Sequence, residues 1–320
     1  MKTITTAIAD VARARFARAA LLGAAFGFAG SAHADTVVAD TLLRIETLTG
    51  VKGTYLDAEQ VFKITRPRTD LPVQVDRRVM QPFVGLSTWV AFRHGGRADM
   101  ILMGDIVVFE DEINPVMSEL LDGGVSVTAL HNHFLFDRPK VYFMHIGGEG
   151  SLDALADTVR HALDRIARIR AERPQPAEDF GGVPLAPGNA IDGGPISARL
   201  GASGQAKDGM YKVVIGREVS MDCGCAVGKE MGVNTWAGFA GTDGDAIVDG
   251  DFAVLEPELQ PVLKSLRAGN INIVAIHHHM VGETPRTLFL HYWGRGTTDA
   301  LATTLRAALD AQARQSGAAR

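Results

Sequence analysis

Apolar positions along the chain change period several times, and each change predicts an element. Leu42, Leu43, Ile45 and Leu48 recur at helical spacing before Gly50, predicting a helix over 40–48. Residues 61–68 read as a strand whose proline suits an edge or a strand end. Apolar runs follow at 88–92 and 100–109, with Gly95-Gly96 turning between them. Ile113, Val116, Met117, Leu120 and Leu121 then form one helical stripe over 110–121, ended by Gly123-Gly124. Strands are predicted at 125–133 and 141–146. Ser151 caps a long helix to about Ala171, carrying Leu152, Leu155, Val159, Leu163 and Ile166.

After a segment rich in Pro, Gly, Ala and Asp, the same pattern returns. Residues 211–217 match 62–68, and Gly232 to Trp236 match Gly85 to Trp89. Gly250-Asp251 match Gly104-Asp105, and 256–269 match 110–123. Each half therefore reads as strands, helix, two strands, helix. The predicted class is α+β, two homologous repeats, each a mainly antiparallel sheet with helices on one face. The expected organisation is a signal peptide over 1–34, a first repeat over 35–171, a linker over 172–208 and a second repeat over 209–320.

The repeat carries its chemistry in a histidine hairpin. His131, His133, Asp137 and His145 recur as His277, His279, Glu283 and His291, without a gap, at an offset of 146 residues. Alternation along a strand puts His131 and His133 on one face, and a turn at 137–139 sets His131 opposite His145. Val125, Val127, Ala129, Val141 and Phe143 complete that face by the same count, and Ile271, Ile273 and Ala275 its duplicate. His278 points away. Three imidazoles with one carboxylate match the ligand sets of divalent transition metals, zinc or copper foremost. An acid two residues before a proline is equally a turn residue.

Other residues sharpen this less. Cys223 and Cys225 occur in the second half alone; they are soft ligands beside the second cluster, or a turn containing two cysteines. Arg68 and Arg217 occupy matched positions, as anchors for an anionic ligand or as structural ion pairs. Trp89 and Trp236 read as core anchors. Glu112 and Glu258 fall in first helical turns, where they favour the helix dipole.

Four basic residues, an apolar run over 19–30 and an Ala-His-Ala site ending at Ala34 predict a cleaved secretory signal, hence a periplasmic or secreted protein. Cleavage removes four basic residues and one acid, taking the formal charge from −5 to −8. That balance argues against nucleic acid as a partner. Two cysteines among 320 residues exclude a disulfide-stapled fold.

With Gly-Val-Asn-Thr-Trp236, Ile-His-His-His279 and Leu-His-Tyr-Trp-Gly294, and Ala-Leu-His-Asn-His133 and Phe-Met-His145 before them, the chain resembles the LppY/LpqO family of exported bacterial proteins. The resemblance covers nearly all of the mature chain as two copies, and implies export without an established activity. The founding members are predicted lipoproteins, whereas this chain has no lipobox cysteine. Three functional readings follow: a metal-binding protein, a metal-dependent hydrolase using Asp137 or Glu283, or a small-anion binding module built on Arg68 and Arg217. The halves are expected to pack as a pseudo-dimer.

Overall fold

Alternating apolar residues make strands with two different faces, and the fold uses both. The computed structural model describes residues 36–318; the expected signal peptide lies outside them. The first half runs α1 (36–49), β1 (Gly53–Leu56), β2 (Val61–Pro67), β3 (Gln74–Val75), β4 (Arg78–Val79), β5 (Ser87–His94) and β6 (Met100–Phe109). It continues with α2 (Glu110–Asp122), β7 (Ser126–His131), β8 (Val141–Gly150) and α3 (Leu152–Glu172). The second half runs α4 (Gly193–Leu200), β9 (Gly204–Lys207), β10 (Met210–Gly216), β11 (Val219–Met221), β12 (Ala226–Val227), β13 (Asn234–Thr242) and β14 (Asp245–Leu255). It ends with α5 (Glu256–Ala268), β15 (Asn272–His277), β16 (Glu283–Thr284), β17 (Thr287–Gly296) and α6 (Thr298–Ala318).

The class is α+β as expected, but the two sheets are one. Twelve strands run in the order β1-β2-β5-β6-β8-β7-β15-β17-β14-β13-β10-β9, with all neighbours antiparallel. The halves join where β7 meets β15, Leu130 facing Ile276. These two residues are themselves related by the offset of 146, so the pseudo-two-fold axis passes between them. The side chains around it obey the same symmetry. Asn114 on α2 exchanges two hydrogen bonds with the backbone of Ile273, and Gln260 on α5 does the same with Val127. Each amide satisfies a backbone pair beside a β-bulge, where the regular ladder lapses.

One continuous core lies between the sheet and the helices. It takes Ile106 and Val108 from β6, Val116 and Leu120 from α2, Val159 from α3, and Val254, Leu263 and Leu305 from the second half. Burying each such side chain is worth about 1.5–3 kcal/mol. A small second core, with Val107, Phe109, Val141 and Phe143, occupies the opposite face of the first half.

Three sequence expectations change here. Residues 172–208 are more than a linker: they include α4, whose Ile196 and Leu200 enter the main core, and β9, the sheet's last strand. Val125, Val127, Ile271 and Ile273 also belong to the main core rather than the histidine face. The bulges between Val127 and Ala129 and between Ile273 and Ala275 shift the alternation by one residue, which a strict two-residue period does not anticipate. Trp89 and Trp236 are half-buried on the histidine face; the buried anchors are the preceding Thr88 and Thr235, whose hydroxyls accept the N–H groups of Val107 and Ala253. Among the described residues, no helix is long and apolar enough to cross a membrane.

Candidate metal centre

Register across the open face of the sheet assembles each site. In the second half Trp236 on β13, Asp251 on β14, His291 on β17 and Ala275 on β15 stand in one cross-strand row. Cross-strand neighbours on one face have Cβ atoms about 5 Å apart, so Asp251 and His291 stand side by side on that face. His277 closes β15 opposite Phe289, which leaves its ring diagonal to His291, with centroids 5.0 Å apart. His279 lies beyond the strand end, stacked on the buried Phe289 ring at 3.5 Å. That platform returns a loop histidine to the row.

The ring nitrogens are oriented by backbone carbonyls. With Nδ1 as donor, His277 bonds His278 O at 3.4 Å, His279 bonds Gly232 O at 3.2 Å, and His291 bonds Gly250 O at 3.3 Å. Each Nε2 is then an unprotonated acceptor, the form that ligates metals. His279 Nε2 lies 3.3 Å from Asp251 Oδ2. One ligand atom each from Asp251, His277 and His279 lies within 4.8 Å of the others, and no other group of three or more does so among the described residues. Asp251 Oδ1 and His277 Nε2 are buried and lack a hydrogen-bond partner. Buried polar atoms are nearly always satisfied, so this donor set fits a cation. Burial raises the Asp251 pKa against the pull of the three imidazoles, and burial lowers that of His277.

The first half repeats the row with Trp89, Asp105, His145 and Ala129. His131 pairs with Phe143 rather than His145, but its ring reaches His145 diagonally at 5.1 Å and stacks near His133 at 5.2 Å. Asp105 is 5 % exposed, its pKa raised by burial, and its Oδ1 too is unpartnered. Burial lowers the His133 pKa. Among the described residues, no carbonyl accepts a hydrogen bond from the ring nitrogens of His131, His133 or His145, unlike those of the second-half rings, which bond Gly232, Gly250 and His278. Phe134 packs edge-on to Phe143, 6.0 Å between centroids, where the second half has Met280.

The other predicted site residues have different partners. Asp137 and Glu283 are buried acids whose carboxylates accept the N–H of Val141 and Thr287, locking the turn. Burial alone would raise the Glu283 pKa, but the bond from Thr287 N and its other neighbours hold it below the usual range. Cys223 and Cys225 are joined as a disulfide, so their sulfurs bond each other rather than stand beside the histidines as thiolates. They sit at the tip of the β11–β12 hairpin, where the last pair, Ser220 and Ala226, encloses five residues; Val75 and Arg78 of the matching β3–β4 hairpin enclose two. Arg68 is no anion anchor: it is buried, bonding Glu112 at 2.5 and 2.6 Å, Asp70 at 2.9 and 3.0 Å, and Val107 O. Arg217 likewise pairs with Glu258 and with Ala253 O. His278 turns away to Arg286.

Asp105 and Asp251 are the ligand candidates missing from the sequence reading. The signal was the duplicated Gly-Asp dipeptide, but it lies 26 residues before each His-x-His motif, and only strand order brings it alongside.

The fold and its paired sites define a class: a duplicated α+β protein with a histidine-aspartate cluster in each half. The chain belongs to the family described as Domain of Unknown Function (DUF1259), whose model matches residues 43–165 and again 194–311. No curated protein matches it. Among solved structures, the trimeric bacterial microcompartment shell protein PduB is 11 % identical with a TM-score of 0.20, over 82 % of this chain and 90 % of that one. The double-ringed trimeric shell protein MSM0271 from the RMM microcompartment is 14 % identical with a TM-score of 0.19, over 78 % and 97 %. At those scores neither likeness bears on fold or function.

Proposed function

We propose that this protein binds a divalent transition metal, zinc or copper foremost, at the second-half site. Asp251 and the Nε2 atoms of His277 and His279 form the ligand set, with the His291 ring beside His277 as a fourth candidate, and the first-half cluster is a weaker counterpart. The observation that carries the reading is the unpartnered pair Asp251 Oδ1 and His277 Nε2, buried among imidazoles held by their Nδ1 atoms. Metal-bound histidines characteristically donate their second nitrogen in this way. We place the protein outside the cytoplasm, on the strength of the basic start, the apolar run and the Ala-His-Ala site at 32–34; the LppY/LpqO resemblance belongs with the same proposal. Elemental analysis of untagged protein tests it. About one equivalent of metal per chain is expected after reconstitution, and less than a tenth would sink it.

A metal-dependent hydrolase is the second reading, favoured by one feature. A cleft of about 660 Å³ reaches Asp251 and His279, so the site opens to a molecule larger than water. A divalent ion in such a site supplies Lewis acidity and a more acidic bound water. Glu283 is spent on Thr287 N, so the base would have to come from the cleft itself. Metal-dependent turnover of a phosphoester, ester or peptide is the expected result; a panel of all three without turnover would leave binding alone.

A further inference from the structure

We infer that the cleft beside the second-half site binds a small organic acid, with one carboxylate at the metal and another on the Lys212 ammonium. This rests on the metal reading above. Lys212 Nζ lies over the indole of Trp236, 4.0 Å from the ring centroid. Lys212 is exposed, and at such a site the aromatic face attracts the cation by about 0.5–1 kcal/mol. No carboxylate among the described residues pairs with Lys212, so its charge stands over the indole without a counter-ion. Lys212, Trp236, Asp251 and His279 all line the same cleft, with Gln205 and Asn234 as its polar wall. The volume falls in the range of small-molecule sites.

The class of ligand follows from what the wall offers. Phosphate is usually taken by several donors together, such as an arginine fork, backbone N–H groups or a helix N-terminus. This cleft presents one ammonium clear of any acid; its second lysine, Lys229, lies 3.3 Å from the Glu230 carboxylate. A single unpaired positive charge matches one carboxylate. The neutral amides of Gln205 and Asn234 suit the hydroxyl or carbonyl groups that such acids carry. The first half keeps Lys63 over Trp89, 4.8 Å from the ring, but the residues aligned with Lys229-Glu230 are Pro82-Phe83, with Phe83 almost fully exposed.

The probe is L-malate, a hydroxy-dicarboxylate, titrated by calorimetry into the zinc-loaded full chain, with zinc content measured on every sample. Lys212→Met, which keeps the stem and removes the charge, should weaken malate about tenfold, as expected for one charge-assisted bond. Its zinc content should be unchanged, and Lys63→Met should bind malate like the parent. Equal malate affinity in Lys212→Met and the parent overturns the inference, as does no malate binding by the zinc-loaded parent. Tighter binding of inorganic phosphate than of malate overturns the ligand class. Absence of zinc from the parent sinks the metal reading instead; malate is then titrated into the zinc-free chain, where a Lys212-dependent signal keeps the organic-acid site and no signal removes it.

Discussion

The two histidine clusters share strands, register and residue types, yet they differ in what surrounds them. Around the second, three carbonyls orient the imidazoles and a polar cleft reaches the carboxylate. Around the first, Phe134, Leu135 and Phe136 give the hairpin an apolar surface, and no carbonyl among the described residues fixes a tautomer. Matching residue types therefore do not make matching geometry: among the described residues, only the second half brings a carboxylate and two imidazoles within ligand distance of one another. Affinity also requires donors oriented in advance, because orienting them on binding costs conformational entropy.

The largest effect should come from removing the ligands themselves. His277→Ala with His279→Ala should lower zinc affinity by about a thousandfold, roughly 4 kcal/mol, whereas the pair His131→Ala and His133→Ala should lower it far less. Competition with a chromogenic chelator reads both. Equal losses would make the halves equivalent, and no loss from either would make the histidines structural.

The ion pairs beneath the sites should separate the halves next. Glu112 is fully buried between Arg68 and Arg170, whose side chains are 5 % and 8 % exposed. Its duplicate Glu258 pairs, among the described residues, with Arg217, which is 24 % exposed, and with Gln312. Glu112→Gln should cost about 3 kcal/mol of unfolding free energy, since it leaves two buried cations under-compensated. Glu258→Gln should cost less, because Arg217 retains contact with water. Urea unfolding of both variants measures the difference, and the reverse order would refute this account.

The smallest expected effect is the most specific. Burial raises the pKa of Asp251 in the folded chain above its unfolded value. The metal-free fold thus binds that proton more tightly than the unfolded chain does. Its contribution to stability is greatest below the unfolded pKa, about 4, and declines as pH rises through the folded value. Asp251→Asn removes the buried charge, so without metal it should be more stable than the parent by about 1 kcal/mol at pH 7 and equal to it at low pH. Asp105→Asn should behave alike, its aspartate being raised by the same cause. Zinc should reverse the order at position 251 and leave it standing at 105. Thermal melts at two pH values, with and without zinc, decide it, and a gap independent of pH would show that charge burial is not the cause.

Much of this protein was legible in its residues. The duplication, the α+β class and the histidine hairpins follow from local periodicity and an exact spacing, since side-chain direction along a strand or helix repeats with the backbone. Asp137 and Glu283 satisfied the spacing of a ligand but took the other meaning, because a short acid before a turn also reaches the backbone N–H four residues on. Local pattern has no means of choosing between those partners. The tertiary structure decided three further matters. Strand order set Asp251 beside His291 and Asp105 beside His145, across 40 residues of chain. The bulges at Val127 and Ile273 moved one set of side chains from the histidine face into the main core. The pairing of Leu130 with Ile276 merged two sheets into one. Each depends on contacts between residues distant in sequence, whose free energy comes from packing and backbone pairing once the chain has closed on itself.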